Sequence, residues 1–103
     1  MTITELLTDL ATGTNAIIRS TASMFNLTAS QAFHLLSIPF DGIPMSGLAL
    51  RLGLDNSTLT RNIQNLEKIE LVKRQPDNYD KRIHRVLLTH KGTALLRLME
   101  EHL

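Results

Sequence analysis

Apolar residues recur three and four positions apart along much of the chain, which is the period of α-helices with one buried face. The first such stretch predicts a helix that ends near residue 25, with the apolar positions Ile3, Leu7, Leu10, Ile17 and Met24. Thr2 and Glu5 match a capping box, so this helix is expected to begin almost at the first residue. A second capping box, Thr28 with Gln31, predicts a short helix with a buried side of Ala29, Ala32, Phe33 and Leu36.

The middle of the chain carries two more helical stretches. Pro39, Gly42 and Pro44 predict a loop, and residues 45–53 then predict a short helix with the inward positions Leu48, Ala49 and Leu52. The next helix extends to about residue 69 and has a buried face of Leu59, Ile63 and Leu66. Gly53 is expected to end the first of these helices, and Asp55 or Asn56 to cap the second. Two helices at this spacing are typical of a helix-turn-helix.

The last third of the chain changes from helical to strand patterning. "LVKRQ" and "RIHRVLLT" predict two strands, and the turn formers of "PDNYDK" join them in a hairpin. Thr89 is expected to cap a final helix that carries Ala94, Leu95, Leu98 and Met99. The predicted fold class is mainly α with a small β-hairpin, a winged helix-turn-helix. We expect a single domain, with an N-terminal helix (1–25), a helix-turn-helix (45–70), a wing (71–89) and a C-terminal helix (90–103).

The outer face of the second helix in the helix-turn-helix carries short hydrogen-bonding side chains and few carboxylates. Asn and Gln can pair with adenine edges and Arg with guanine, which predicts a recognition helix for the DNA major groove. The candidate contacts are Asn56, Ser57, Thr58, Arg61, Gln64 and Asn65. The alternative, that the first three only cap the helix, is compatible with this, because a helix N-terminus also attracts phosphate. Thr60, beside the apolar face, is expected to be buried.

Positive charge is concentrated near this helix and the wing. Residues 61–91 carry eight Lys and Arg against four Asp and Glu, whereas residues 1–60 carry two against four. At the hairpin tip, Asp80 lies two residues before Arg82 and can fix its direction for the minor groove, with Lys81 between them. A solvated turn with accidental charges is the alternative for this segment, but the preceding recognition-type helix favours DNA.

Several function classes lack their sequence signals. The chain has no cysteine, its four histidines form no close ligand pair, and it has no phosphate loop or G-x-S-x-G motif. We therefore expect no metal site, no cofactor and no enzymatic activity. No apolar run approaches the length of a membrane span, and acidic residues stand where a signal peptide would be apolar. The expected location is cytoplasmic, with no membrane partner.

Residues 43–92 resemble the winged-helix core of the multiple-antibiotic-resistance regulator (MarR) family of bacterial transcription factors. "STLTRNIQNLE" is similar to the recognition helix of this family, "LVKR" to its first wing strand, "DNYDKR" to its wing tip and "LTHKG" to the segment after the wing. The resemblance implies a homodimer on a pseudo-palindromic operator, with DNA contacts from Ser57, Thr58 and Arg61. It also implies a wing arginine, Arg82, oriented by Asp80, and a phosphate contact near Arg74.

Three features depart from the family pattern. Glu70 stands where the family often has glycine, Tyr79 replaces a commonly basic wing residue, and the last helix is short. Since the long C-terminal helices of the family build its dimer, the first helix is expected to carry the interface here, through Ile3, Leu6, Leu7, Leu10 and Ile17. The alternative for these five positions is packing in the core of their own chain.

These observations predict a dimeric, sequence-specific transcriptional regulator, such as a repressor, that binds double-stranded promoter DNA. One alternative is a winged-helix module that binds a partner protein without specific DNA binding, although the basic helix and wing argue against it. A further alternative, which the family implies, is a regulator with a small-molecule effector between the dimerisation region and the DNA-reading lobe.

Overall fold

A computed structural model describes residues 2–102, apart from the side chains of residues 11, 14 and 15. Residue 1 of the predicted range 1–25 and residue 103 of the predicted range 90–103 therefore lie outside the described residues. The described chain forms, in order, α1 (Ile3–Met24), α2 (Ala29–Leu36), β1 (Ile43–Pro44), α3 (Met45–Leu52), α4 (Asn56–Lys68), β2 (Val72–Pro76), β3 (His84–Leu88) and α5 (His90–Glu100). None of the helices in this range is long and apolar enough to span a membrane.

The helix-turn-helix, α3 and α4, packs as its apolar spacing predicts. Leu59, Ile63 and Leu66 of α4 are completely buried, as is Leu48 of α3. They form one core with residues of α2 and the sheet, chiefly Leu35, Leu71, Val72 and Val86. Burying this stripe turns the opposite side of α4 outward, so the core determines which side chains the helix presents to a partner.

The wing belongs to a small antiparallel sheet in the order β1–β3–β2. β2 and β3 pair from Val72 with Leu88 to Pro76 with His84. β1 was expected to be loop; instead Ile43 and Pro44 pair with Val86 and Arg85 of β3. Two residues are too few to show the alternating pattern of a strand, so β1 is recognisable only by its pairing with β3.

The buried sides of α1 and α2 include residues other than the apolar positions named from the sequence. The chain from Ile3 to Met24 is one helix, and among its described side chains Ile18 and Ala22, towards its C-terminal end, pack with Ala32 and Met99. The fully buried residues of α2 are Ala32, His34 and Leu35, whereas the predicted Ala29, Phe33 and Leu36 are only half-buried. A short helix between two cores has a broader buried arc than one apolar stripe describes.

The junction between the wing and α5 depends on one glycine. Thr89 caps α5, as expected, and its backbone N–H donates to the Leu71 carbonyl at 3.1 Å. A Cβ atom at Gly92 would collide with that same carbonyl, so only glycine lets the start of α5 approach the wing this closely. Among the apolar residues that the sequence places on α5, Met99 is buried, whereas Ala94 and Leu98 are exposed.

Candidate nucleic-acid interface

The first turn of α4 is organised by a single carboxylate. Asp55 is the N-cap, and its Oδ1 accepts a hydrogen bond of 2.7 Å from the Thr58 N–H. This hydrogen bond is the main cause that lowers the pKa of Asp55, so the cap stays charged. Asn56 and Ser57, which follow the cap, are exposed, whereas Thr58 is half-buried. Of the two predicted caps, Asp55 is correct, and Asn56 is left available at the surface.

Along the outer face of α4, Asn56, Ser57, Arg61 and Gln64 line one open depression together with Thr60. The first four are exposed candidate contacts. The expected burial of Thr60 is wrong, because this side chain is only half-buried and borders the same depression. Its position next to Leu59 suggested the core, but successive helical residues are about 100° apart, which is enough to bring Thr60 to the surface.

The structure separates Asn65 from that group. Asn65 lines a different concavity, between α2 and α4, with Asn62, Gln31 and His34. Within it the Asn62 amide nitrogen lies 3.1 Å from His34 Nε2, and His34 Nδ1 lies 2.6 Å from the Ser30 carbonyl oxygen. Since a carbonyl only accepts, Nδ1 carries the proton and Nε2 accepts from Asn62. By its helical spacing, Asn62 belongs to the outer polar face of α4. In the structure it instead connects α4 to α2.

The wing tip is held by carboxylates that accept hydrogen bonds from backbone and arginine. Asp77 Oδ2 accepts from the N–H groups of Tyr79 (2.9 Å) and Asp80 (3.0 Å). Asp80 in turn accepts from Arg82 through both oxygens, Oδ1 from Nε at 3.0 Å and Oδ2 from Nη2 at 2.9 Å. The predicted pairing of Asp80 with Arg82 is therefore present, in the two-pronged geometry that orients a guanidinium best.

These contacts also keep the wing tip charged. The Arg82 side chain is the main cause that lowers the pKa of Asp80, and Asp80 reciprocally raises the pKa of Arg82. The Tyr79 N–H is the main cause that lowers the pKa of Asp77. Arg82 remains 89% exposed at its side chain, and Lys81 is exposed beside it. The tip thus presents a cation whose direction is fixed and whose surface is open.

The wing and the start of α4 meet at a second depression. Asn56 and Thr60 line it from α4, and Arg74 and Arg82 line it from the wing. Arg74 donates to Glu67 Oε1 from Nε at 3.1 Å and from Nη2 at 2.9 Å, so a carboxylate already neutralises part of its charge. Ser46 and His84, which the sequence interpretation did not single out, also line this depression. The feature of the sequence that could have indicated His84 is its position two residues after Arg82 in the wing.

The candidate dimer residues on α1 lie on the surface of their own chain. Ile3, Leu6, Leu7, Leu10 and Ile17 are between 51% and 77% exposed. The alternative that they pack in the core of this chain is therefore wrong. Such a row of large apolar side chains along one helix is a marker of an interaction surface.

The described part of the chain offers no metal site but has one further groove. No group of three His, Asp or Glu side chains there is placed to hold a metal ion. A groove of about 680 Å³ lies between α5 and the outer side of the sheet. Its apolar lining includes Ile38, Phe40 and Leu87, and its charged lining is Lys73, Arg97 and Glu100.

Comparisons with known proteins agree with this architecture. The sequence profile described as MarR family matches residues 27–84. A point mutant of MarR from E. coli, solved in complex with operator DNA, is 27% identical with a TM-score of 0.79, over 96% of this chain and 71% of that one. Wild-type MarR from E. coli in its apo form is 26% identical with a TM-score of 0.85, over 98% of this chain and 76% of that one.

A more distant structure shares the fold. A point mutant of MepR from S. aureus, bound to an oligodeoxyribonucleotide, is 21% identical with a TM-score of 0.76, over 98% of this chain and 75% of that one. The profile covers more than half of the chain and includes α3, α4, β2 and the start of β3. Both the predicted winged helix-turn-helix and the predicted family are thereby confirmed. The chain belongs to the MarR family of winged-helix DNA-binding transcription regulators.

Proposed function

We propose that this protein is a transcriptional regulator that binds a specific promoter sequence as a homodimer and represses transcription by occupying it. The observation that carries the proposal is the Arg82 guanidinium, held by both oxygens of Asp80 at an exposed wing tip, next to the polar outer face of α4. A helix face of this chemistry suits the major groove, and a fixed arginine beside it suits an adjacent minor groove.

We assign different roles to the candidate residues within this surface. Asn56, Ser57, Arg61 and Gln64 face the major groove, because they share one open side of α4. Thr58 contributes at the helix N-terminus, where backbone N–H groups attract phosphate. Asp80 orients Arg82 and does not touch DNA itself. The remaining assigned contacts are Arg74 and Lys81 of the wing and Asn65, which lies on the side of α4 towards α2.

The exposed α1 residues support the dimer part of the proposal. A second copy that covers Ile3, Leu6, Leu7, Leu10 and Ile17 would remove this apolar row from water, at roughly 25 cal/mol per Å² of apolar surface buried. Two copies related by a two-fold axis would also present two recognition helices to a palindromic site. Sedimentation equilibrium of the purified protein tests this part, and a monomer at micromolar concentration would contradict it.

The DNA part is tested by fluorescence anisotropy with a duplex from the promoter of the protein's own gene and a scrambled duplex, at low and physiological salt. We expect tight binding to the promoter alone, with an affinity that falls steeply with salt, because a dimer making roughly 6 to 10 phosphate contacts releases many counterions. Equal, salt-sensitive binding to both duplexes would contradict sequence specificity. Absence of binding at low salt would favour the protein-interaction module instead.

One variant tests the observation that carries the proposal. Arg82→Ala should weaken promoter binding by about tenfold or more, since a well-oriented arginine contact contributes at that level. The circular dichroism spectrum should not change, because the side chain is 89% exposed and lies outside the core. Arg97→Ala on α5 is the matched control for the loss of one positive charge. If both variants lose affinity equally, the wing arginine has no special role.

The small-molecule effector that the family implies stays a prediction, and the structure has a groove in which its binding can be tested. The groove between α5 and the sheet combines apolar walls with two cations, Lys73 and Arg97, against one carboxylate, Glu100. A lining with this excess of positive charge suits a small amphipathic anion. Melting temperatures measured with a panel of aromatic carboxylates would show such a ligand as a concentration-dependent increase. The absence of any shift across the panel would leave a regulator that responds to no ligand of this class.

A further inference from the structure

Arg85 occupies the position at which the sheet becomes a free hairpin. In the pairing register, Arg85 lies between Pro44 of β1 and Gln75 of β2, and it is the outermost residue of β3 that β1 covers. From His84 to the tip, the wing is only two strands wide. An isolated two-stranded hairpin is marginally stable in water, so the wing is expected to bend most easily at this position.

The Arg85 side chain bridges both sides of that position. Its Nη2 donates to the Gly42 carbonyl at 3.1 Å, and its Nη1 donates to Asp77 Oδ1 at 3.4 Å. Both charged side chains are mostly buried, with 26% of Arg85 and 16% of Asp77 exposed. One guanidinium thus connects the loop before β1 to the base of the wing tip.

Gly42 is shaped to supply that carbonyl. Its φ is +86°, and a Cβ atom there would lie 2.9 Å from both the Val86 carbonyl oxygen and the Leu87 Cγ. Glycine therefore lets the loop lie directly against β3, where its carbonyl reaches Arg85. The contact is a built feature of the loop, because a larger residue would hold the backbone away.

From Asp77 the connection continues to the DNA-contacting cation. Asp77 fixes the Tyr79 and Asp80 N–H groups through Oδ2, while its Oδ1 faces Arg85. Asp80 then holds Arg82. We propose that Arg85 is a positioning residue that locks the wing to the body of the domain and thereby sets where Arg82 meets DNA. This inference rests on the proposed function for its effect on DNA, but the locking itself can be measured in the free protein.

The chain contains its own probe of wing motion. Tyr79 is the only tyrosine, there is no tryptophan, and its side chain is 98% exposed at the wing tip. The intrinsic tyrosine fluorescence therefore comes from the wing tip alone, and the fast component of its anisotropy decay reports local motion there, apart from the tumbling of the whole molecule. In Arg85→Gln, which lacks the fork needed to reach both partners, the fast component of the decay should grow. Arg85→Lys, which keeps the charge but donates as a point, should give an intermediate decay.

A matched control removes the same chemistry elsewhere. Arg51 on α3 also donates to a backbone carbonyl, that of Ser37, at 3.0 Å. Arg51→Gln should leave the Tyr79 decay unchanged. An unchanged decay in Arg85→Gln and Arg85→Lys would overturn the proposal, as would an equal change in Arg51→Gln.

A double-mutant cycle with DNA separates positioning from direct contact. Arg85→Gln should weaken promoter binding by about threefold to tenfold in the native background and have almost no effect in the Arg82→Ala background, because the two residues act as one unit. Equal losses in both backgrounds would show that Arg85 contacts DNA independently and would overturn the positioning role. If the native protein binds no promoter DNA, the proposed function fails, while the Tyr79 measurement still decides whether Arg85 locks the wing.

Discussion

The recognition helix and the wing tip contribute to one surface but are held in place by different forces. α4 is anchored by Leu59, Ile63 and Leu66, which have no exposed surface, and hydrophobic contacts of this kind depend on filling a shape. None of the residues 77–83 at the wing tip belongs to either hydrophobic core of the described chain. The form of the tip depends instead on the carboxylates of Asp77, which is itself mostly buried, and Asp80, which accept directional hydrogen bonds. The helix should therefore be as stable as the whole domain, whereas the wing can lose its order while the domain stays folded.

The largest expected effect tests the helix side of this comparison. Ile63→Ala removes a completely buried side chain at the centre of α4 and should lower the free energy of unfolding by about 2–5 kcal/mol, measured by urea denaturation. Leu50→Ala is the matched control on α3, because that side chain is 86% exposed, and it should change stability by less than about 0.5 kcal/mol. Similar losses in the two variants would show that burial does not anchor the helix.

The same difference explains which parts of the fold could be predicted from the sequence. For α4, the sequence predicts the buried face, because the repeat of apolar residues carries that information locally, and it leaves two neighbouring candidates for the cap, Asp55 and Asn56. β1 was missed, because Ile43 and Pro44 form a strand only by pairing with β3. His34 and Asn62 were likewise missed as partners, since their hydrogen bond joins two helices 28 positions apart in the chain.

For the candidate surface, prediction succeeded for local pairs and failed for distant ones. The contact of Asp80 with Arg82 spans two residues and could be proposed from their spacing. The bridge from Arg85 to Gly42 spans 43 positions, and nothing in the strand pattern indicates it. Arg74 was expected near phosphate, but its pairing with Glu67 depends on how the turn between α4 and β2 folds.

The turn between α4 and β2 joins the recognition helix to the wing, and turns of the same kind end two other helices. After α4, the Glu70 N–H donates to the Glu67 carbonyl and the Leu71 N–H to the Leu66 carbonyl, which is a Schellman motif. Equivalent pairs of hydrogen bonds end α1 and α3. The residue with positive φ is Asn26 after α1 (59°), Gly53 after α3 (68°) and Glu70 after α4 (63°). Glu70, which stands where the family often has glycine, therefore adopts the left-handed conformation that favours glycine.

Replacing Glu70 with glycine should stabilise the turn between α4 and β2. Glu70→Gly should raise the free energy of unfolding by about 1 kcal/mol, because a left-handed conformation is costly for residues with a Cβ atom. Asn26→Gly is the comparison, with a smaller gain expected since asparagine tolerates this conformation better. Urea denaturation of both variants measures the difference. A loss of stability in Glu70→Gly would show that the turn gains more from the Glu70 side chain than it loses through strain.

The smallest expected effect concerns pH and addresses the wing alone. The pKa of Asp80 lies below its ordinary value of 3.8, chiefly because Arg82 donates to it. A lowered pKa in the folded state means that the stabilisation is complete above pH 3.8 and is lost only as the pH falls through the lowered value. The order of the wing tip should therefore be constant from pH 8 to pH 5, whereas its loss on further acidification should follow protonation of Asp80.

Carbon-13 NMR of the Asp80 carboxyl group measures this directly. In the native protein, its titration midpoint should lie below 3.8, and the Arg82 Nε resonance should shift with the same midpoint. Arg82→Gln removes the main cause of the lowered pKa and should move the midpoint up towards 3.8, while the buried core of α4 keeps the domain folded at neutral pH. A midpoint that does not move would mean that the backbone N–H groups, rather than the arginine, hold Asp80. The fixed direction of Arg82 would then depend on the turn itself, and the contrast between a helix held by burial and a wing held by paired charges would fail at the wing.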